Sequence, residues 1–261
     1  MLYRLYVQLF DLEQRWNVMI IVIMIISMMI GAFGGLAENS IRRVLGYQML
    51  NGMPFILVML AFTSDDPRRA LAAGIMYTIH HMVTVGSLIL ASGAIEETYG
   101  TGLLSKLSGL ARRDPIIAWI FAAGAFSVVG FPPFSGMWGK LMIVFEVARV
   151  GGAWAWIAIA AIIIASFAAF LAMLRVWRKV FWGKGLPEDK VPDELVIRKK
   201  LMAPSAALIL GSLCMFIFSG IVLDVVDAAA EQLLDTNAYT ETVLGDEPIA
   251  VPNIDEIQEG R

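Results

Sequence analysis

Six apolar runs, each of roughly 20 residues or more, dominate this sequence. A helix of about 20 residues crosses the hydrocarbon core of a bilayer, which is about 30 Å thick. Because lipid offers no hydrogen-bond partner to bare peptide groups, runs of this length without strand-type alternation must be helices. The runs are Asn17 to Ala37, Val44 to Thr63, Ala70 to Ile95, Pro115 to Phe145 with one interruption, Ala153 to Leu174, and Leu201 to Leu223. The sequence therefore predicts an all-α fold, a polytopic membrane helical bundle.

The amino-acid composition excludes a water-soluble domain. Of the 261 residues, 58% are hydrophobic and only 16% are charged, and the mean hydropathy is +0.72. A soluble protein of this length needs more charged side chains to cover its surface. The net charge of −3 gives none of the basic character that binds nucleic acid. We therefore expect a lipid bilayer around the chain and no nucleic-acid partner.

The distribution of Lys and Arg predicts which side of the membrane each connection occupies. Counted over alternate connections, one side receives 13 of these residues and the other receives 6. The richer side holds Arg42, Arg43, Lys106, Arg112, Arg113 and eight residues between 175 and 200. Because cytoplasmic loops carry the excess of positive charge, we predict that this side is cytoplasmic. The acidic tail after Leu223 then faces outward.

The runs and the charges between them divide the chain into five segments. Residues 1–10 are too short to span a bilayer, and we expect them to be the last turns of a membrane helix whose beginning is absent. The predicted segments are 1–16, the end of a truncated helix and a loop; 17–174, a five-helix transmembrane repeat with a broken helix over 115–147; 175–200, a basic cytoplasmic loop; 201–224, a final transmembrane helix; and 225–261, an acidic extracytoplasmic tail.

A lysine lies inside the fourth run, close to a predicted helix break. Pro132 and Pro133 remove two backbone donors, and Gly130 and Gly136 flank them, so the helix must break there. A broken membrane helix marks an internal cavity, because its freed peptide groups need partners. Lys140 follows the break and can exchange a proton as neighbouring charges move. The alternative is that Lys140 snorkels to the membrane surface.

Two histidines occupy the middle of the third run. Histidine both donates and accepts protons near neutral pH, which suits a relay. Thr84 and Ser87 lie four and seven residues after His80, on the same face of a helix, so this stripe could line a polar path. His81 points about 100° away and favours an interhelical hydrogen bond instead.

Gln48 and Asn51 are one turn apart in the second run. They could extend the polar path or simply tie helices together. The sequence contains no nucleotide-binding loop, metal-ligand cluster or nucleophile arrangement. We therefore expect no covalent chemistry and no cofactor.

The segment GFPPFSGMWGK, from Gly130 to Lys140, resembles the broken-helix signature of the antiporter-like subunits shared by respiratory complex I and Mrp-type sodium/proton antiporters. In that family a glycine-proline break precedes a buried lysine or glutamate that takes part in proton transfer. Several other segments are similar to the same family and favour its branch of Mrp D subunits. They are Ser40 to Tyr47, Ile79 to Met82, Thr98 to Thr101, Phe181 to Gly183, and Asn237 to Leu244.

The resemblance covers essentially residues 1–244 and only the second half of the longer family protein. It implies the second inverted five-helix repeat plus a final helix, with no counterpart here of the first repeat. The sequence also departs from the family at three positions. Ser40 stands where many members have aspartate, His81 where the Mrp D subunits usually have aspartate, and Val85 where a lysine is common. The missing lysine removes one candidate relay group, for which His81 could compensate in part.

The leading prediction is a membrane subunit of a multisubunit sodium/proton antiporter, a secondary transporter rather than an enzyme. Protons would pass along Lys140, His80, Thr84 and Ser87, with His81 as a further candidate, while sodium moves elsewhere in a membrane hetero-oligomer. One alternative is a proton-pumping subunit of a complex I or membrane hydrogenase type complex. Another is a structural half-subunit that completes an interface and carries no flux of its own.

Overall fold

The computed structural model describes residues 2–10, 13–63, 66–184 and 195–245. The described residues form helices joined by short connections, and the one strand-like pairing among them is a single bridge between Ser40 and Leu103. The helices are α1 (Leu2–Phe10), α2 (Asn17–Ala37), α3 (Ile41–Leu57), α4 (Pro67–Tyr99), α5 (Leu110–Arg113), α6 (Pro115–Val129), α7 (Gly136–Val150), α8 (Gly152–Val176), α9 (Lys199–Ile217), α10 (Ser219–Leu234) and α11 (Thr236–Leu244). The predicted all-α fold is confirmed.

Within the described residues, five helical segments have the length and apolar composition to cross a membrane. They are Gln14–Ala37, Ile41–Phe62, Pro67–Tyr99, Gly152–Phe181 and Lys199–Ile217. The remaining predicted span is the broken one, which α6 and α7 share as two helices of 15 residues each. The chain is a multi-pass membrane protein.

Helix α4 is the centre of the bundle and contacts α3, α6, α7, α9 and α10. Its start is fixed by Pro67 in the first turn and by the Asp66 carboxylate, which accepts a hydrogen bond from the Arg69 amide at 3.4 Å. It ends at Gly100, whose φ of 67° is a left-handed conformation that glycine adopts without strain. Because α4 carries His80, His81, Thr84 and Ser87, its central position buries all four side chains.

The final predicted span differs from the observed structure. We predicted one helix from Leu201 to Leu223, but α9 ends at Ile217 and α10 begins at Ser219. The interruption falls at Phe218, just before Ser219 and Gly220, two residues that propagate a helix poorly. Helix α10 then packs against α4 and α1.

The predicted acidic tail begins inside helix α10. Its first ten residues, 225–234, lie within α10, where Val226 and Ala230 are buried. Asp227 forms an ion pair with Arg68 near the start of α4, with 3.1 Å between the atoms. Residues 246–261 lie outside the described part of the chain.

Candidate functional site

The helix break separates α6 from α7 at residues 130–135. Gly130 ends α6 with a φ of 102°, a conformation that other residues rarely adopt. Pro132 and Pro133 follow and are exposed on the surface of the bundle. The break lies where the two consecutive prolines predicted it.

Lys140 forms a hydrogen bond with the backbone carbonyl that the helix break leaves without a partner. In a continuous helix the Val129 carbonyl would accept a hydrogen bond from the amide of residue 133, but Pro133 has no N–H. The Lys140 ammonium donates to that carbonyl instead, at 2.8 Å, and to Ser166 Oγ of α8 at 3.0 Å. The freed carbonyl therefore holds the ammonium at the break.

The sequence allowed two interpretations of Lys140, a side chain that snorkels to the membrane surface and a side chain that lies beside the helix break. The observed geometry favours the second. A snorkelling lysine directs its head group along the helix toward the membrane surface. The half-buried Lys140 turns its Nζ toward the break, and the atom lies 5.3 Å from the centroid of the Phe55 ring. Among the described residues no carboxylate forms an ion pair with it, and Glu146 pairs with Arg149 at 2.9 Å.

A closed ring of hydrogen bonds lies next to the break. His80 Nδ1 is 2.9 Å from Ser135 Oγ and 3.3 Å from Thr84 Oγ1. Thr84 Oγ1 is 2.8 Å from Ser127 Oγ. Ser212 Oγ closes the ring, at 2.9 Å from Ser127 and 2.7 Å from Ser135. We call these five residues the hydroxyl ring, and all five are fully buried.

The hydroxyl ring joins α4, α6, the helix break and α9. A hydroxyl group donates one hydrogen bond and accepts others, so in each hydroxyl pair either oxygen can be the donor. The chain of four hydroxyls, from Thr84 through Ser127 and Ser212 to Ser135, can therefore reverse its donor direction without moving a heavy atom. His80 Nδ1 carries either a proton or a lone pair, so as an acceptor it takes a hydrogen bond from Ser135 in one direction and from Thr84 in the other.

Gly136 makes the close approach between the break and α4 possible. A Cβ atom at this position would lie 2.8 Å from His80 Cε1 and would collide with the Ser127 carbonyl oxygen. Real Cβ atoms essentially never come closer than 3.0 Å to a heavy atom. A residue larger than glycine would thus push α7 away from the hydroxyl ring.

The structure places His81 and Ser87 outside the hydroxyl ring. The His81 ring packs on Gly52 of α3 and stacks with Tyr77, with the ring centroids 5.8 Å apart. Ser87 Oγ donates to the carbonyl of Ser205 at 2.8 Å, and Ser205 Oγ donates back to the Ser87 carbonyl at 2.7 Å. Of the predicted stripe, only His80 and Thr84 share one hydrogen-bonded group.

Two aromatic rings connect Lys140 with the hydroxyl ring. Lys140 lies over Phe55, Phe55 stacks on Tyr77 at 5.1 Å, and Tyr77 meets the His80 ring edge-on at 5.4 Å. No hydrogen bond between described residues links Lys140 or Ser166 to the ring. The site therefore consists of two polar groups with an aromatic contact between them.

Gln48 and Asn51 lie buried on α3. Both amide atoms of Gln48 and the Oδ1 atom of Asn51 have no hydrogen-bond partner among the described residues. The His81 Nε2 atom has none there either. Within the same described residues, no three His, Cys, Asp or Glu side chains come together as metal ligands would.

Sequence reasoning missed four serines of this site, namely Ser127, Ser135, Ser166 and Ser212. Ser135 belongs to the motif around the break, but its small side chain carries no pattern of its own. Ser127 lies eight residues before it, on the other side of the break. Ser166 and Ser212 come from helices far along the chain, and only their packing brings them to the break.

Comparisons with known proteins identify the family of this chain. A family described as NADH:quinone oxidoreductase/Mrp antiporter, TM, matches residues 1–169. The D subunit of the Na(+)/H(+) antiporter of Bacillus subtilis (strain 168) is 31% identical over 220 residues, which is 84% of this chain and 43% of that protein. The N subunit of the NADH-quinone oxidoreductase of Hydrogenovibrio crunogenus is 30% identical over 198 residues, 75% of this chain and 40% of its own length.

A chain of a solved structure has the same fold as this protein. The structure of the Mrp complex from Dietzia sp. DQ12-45-1b contains a chain that superposes with a TM-score of 0.85 at 30% identity. The match covers 93% of this chain and 52% of that one. The chain spans about half the length of the curated relatives it matches. It belongs to the family of membrane subunits that NADH:quinone oxidoreductases and Mrp antiporters share.

Proposed function

We propose that this chain belongs to a membrane subunit of a multisubunit sodium/proton antiporter and provides part of its proton path. The observation that carries the proposal is Lys140, whose ammonium binds the carbonyl freed by the helix break and pairs with no carboxylate of the described residues. The 31% identity with the D subunit of an antiporter and the superposition on a chain of an Mrp complex support it.

Each polar group of the site has a distinct role in this proposal. Lys140 accepts and releases the proton at the break, where Val129 and Ser166 hold it. Burying a charged side chain in a membrane costs several kcal/mol of free energy. Ionisable groups are therefore rare there and mark ion or proton pathways. The hydroxyl ring is a second polar segment, between α4 and α9, and water must bridge the gap between it and Lys140 for a proton to pass from one to the other. Ser87 extends the polar face of α4 toward Ser205, and His81 is a further candidate on the neighbouring face, against α3.

The proposed subunit is a secondary transporter component and performs no covalent step. Its partners are the other subunits of a membrane hetero-oligomer, and its cargo is protons, coupled to sodium movement. Helix breaks supply free carbonyls and flexibility at the membrane midplane, which transporters use to bind and release ions. The break at residues 130–135 is the element of this chain that offers both.

A redox-driven pump is the second candidate. The 30% identity with the N subunit of an NADH-quinone oxidoreductase favours it, because that protein belongs to the same family. A structural half-subunit, which completes an interface and carries no flux of its own, is the third candidate.

One assay separates the three candidates. Everted vesicles carrying the chain with its co-expressed partner subunits are energised, and proton movement is followed with a fluorescent pH dye. Sodium-dependent proton efflux without any electron donor supports the antiporter. Proton uptake that requires an electron donor and acceptor supports the redox pump, and neither response supports the structural half.

We also propose that the basic connections lie in the cytoplasm and that residues 225–261 face outward. The Arg68–Asp227 ion pair supports one part of this, because it places the start of α4 and the middle of α10 on the same side. The larger number of Lys and Arg residues on the opposite connections supports the orientation.

Cysteine labelling tests this orientation. After Cys214 is replaced by alanine, single cysteines are introduced as Lys106→Cys and Asn237→Cys, two exposed positions. A membrane-impermeant maleimide added to intact cells is expected to label Asn237→Cys and to leave Lys106→Cys unlabelled until the cells are permeabilised. The reverse pattern would contradict the orientation.

His80→Ala is expected to slow proton flux without abolishing it. Ser135 and Thr84 each keep a second partner in the hydroxyl ring, so a water molecule can bridge the place of the missing imidazole. The measurement is the initial rate of sodium-driven proton flux in vesicles, compared with that of Lys140→Ala. Ser92→Ala is the control, because Ser92 is also buried on α4 but its hydroxyl has no partner among the described residues. If His80→Ala is as inactive as Lys140→Ala, the auxiliary role of His80 is wrong.

A further inference from the structure

A long apolar groove lies on the outside of the bundle between α6 and α8. Its volume is about 480 Å³. Small side chains of α6 form its floor, among them Ala118, Ala122 and Ala125, and aromatic side chains form its rims. At its deep end the groove reaches Val129 and Phe170, next to the helix break.

The other end of the groove opens into a basic pocket. This pocket is lined by Ala111, Arg112, Phe181, Trp182, Gly183 and Lys184, and it shares Ala111 and Trp182 with the groove. Arg112 and Lys184 are exposed and form no ion pair with the described residues. As far as the described residues line it, the pocket thus presents two cations and no carboxylate at the mouth of the apolar groove.

The backbone of the pocket is held in place. The Trp182 carbonyl accepts hydrogen bonds from the Gly109 amide at 3.2 Å and from Ser108 Oγ at 3.3 Å. Gly183 adopts a φ of 101°, which turns the chain sharply after Trp182. Lys184 therefore follows a fixed turn beside the short helix that carries Arg112.

The dimensions and chemistry of these two cavities fit one class of ligand. Helix α6 has 15 residues and is about 22 Å long at 1.5 Å per residue, which exceeds half of the roughly 30 Å hydrocarbon core. An acyl chain of one leaflet, which spans about 15 Å, can thus lie within the length of the helix. Basic pockets beside transmembrane helices bind anionic lipid head groups, and tryptophans mark the depth of the head groups. Trp119 and Trp182, both exposed, lie along this groove.

We propose that the groove between α6 and α8 is a binding site for an anionic phospholipid. The phosphate of the lipid binds Arg112 and Lys184, and one acyl chain fills the groove as far as Val129 and Phe170. The bound acyl chain then covers the outer side of the helix break, where the Val129 carbonyl binds Lys140. The proposal rests on the cavities and their charges, and it does not depend on the transport function.

Quenching of tryptophan fluorescence by brominated lipids tests the site. The chain, with the subunits that co-purify with it, is reconstituted in nanodiscs that contain phosphatidylglycerol or phosphatidylcholine brominated on the acyl chains. The contribution of Trp119 is obtained by difference from a Trp119→Phe variant. We expect phosphatidylglycerol to quench Trp119 at a lower mole fraction than phosphatidylcholine, by about fivefold for each basic residue involved.

Three variants make the test specific. Arg112→Gln and Lys184→Gln are each expected to reduce the preference for phosphatidylglycerol by about fivefold. Lys106→Gln is the matched control and is expected to keep the preference, because Lys106 is exposed on the same side of the bundle but lines neither cavity. Equal quenching by both lipids would overturn the proposal, since it indicates ordinary bilayer lipid. Quenching by neither lipid would also overturn it, because a neighbouring subunit would then cover the groove.

Discussion

Lys140→Ala is expected to abolish sodium-dependent growth support and proton flux while the protein still assembles. The substitution removes the ammonium group that is held at the break, and it leaves the Val129 carbonyl without its donor. Positioned proton-transfer groups commonly contribute at least about a hundredfold to a rate. We expect a loss of at least that size in the rate of proton flux, and we expect that an antiporter-deficient host carrying the variant does not grow at high sodium concentration.

Two further variants separate the charge of Lys140 from its size. Lys140→Met keeps the apolar stem, which packs beside Gly130, and should be as inactive as Lys140→Ala. Lys106→Ala removes an exposed lysine from a connection and should grow like the wild type. Normal growth of Lys140→Met would show that the side chain only fills space.

Gly136→Ala is expected to destabilise the bundle and to disrupt the hydroxyl ring. The new methyl group would lie 2.8 Å from His80 Cε1 and would collide with the Ser127 carbonyl, so α7 must move away from α4. Overpacking of this kind costs about 1–3 kcal/mol. The thermal unfolding temperature in detergent should fall, and proton flux should fall with it because Ser135 is carried away from His80.

Gly93→Ala is the matched control for this substitution. Gly93 lies in α4, like His80, but a Cβ atom there would meet nothing within 4 Å. Alanine also propagates a helix better than glycine does. The control should unfold at or above the wild-type temperature, and an equal loss in both variants would rule out a specific role for the close approach at Gly136.

The spans and the break could be predicted from the sequence because local rules determine them. The predicted run from Asn17 to Ala37 has the same bounds as α2. The two prolines remove donors that no neighbouring residue can replace, so the chain must break after Val129. The sequence left the direction of the Lys140 side chain open; in the structure the side chain donates to the Val129 carbonyl, which Pro133 leaves free to accept.

The hydroxyl ring could not be predicted, because its members come from distant parts of the chain. Ser135 and Ser212 are 77 residues apart, and Thr84 and Ser127 are 43 apart. A single serine in an apolar run gives no sign of the helix it will contact. The helical spacing of His80, Thr84 and Ser87 placed them on one face, but the neighbours of that face decided that Ser87 would bind Ser205 instead.

The interruption at Phe218 was missed for a different reason. An apolar run shows where a chain can enter a membrane, and it does not show where the helix must stop. Ser219 and Gly220 weaken the helix there by less than a proline would, so no single residue signals the break. The packing of α10 on α4 then fixes the new direction of the chain.

The most direct test is sodium-driven proton flux in everted vesicles that carry the whole assembly, with Lys140 intact and with Lys140→Ala. Assembly is verified in the same vesicles by co-purification of the other subunits. We expect flux to fall to the background of vesicles without the chain, while the amount of assembled complex is unchanged. Unchanged flux in Lys140→Ala would contradict a proton path through this chain and would assign it a structural role.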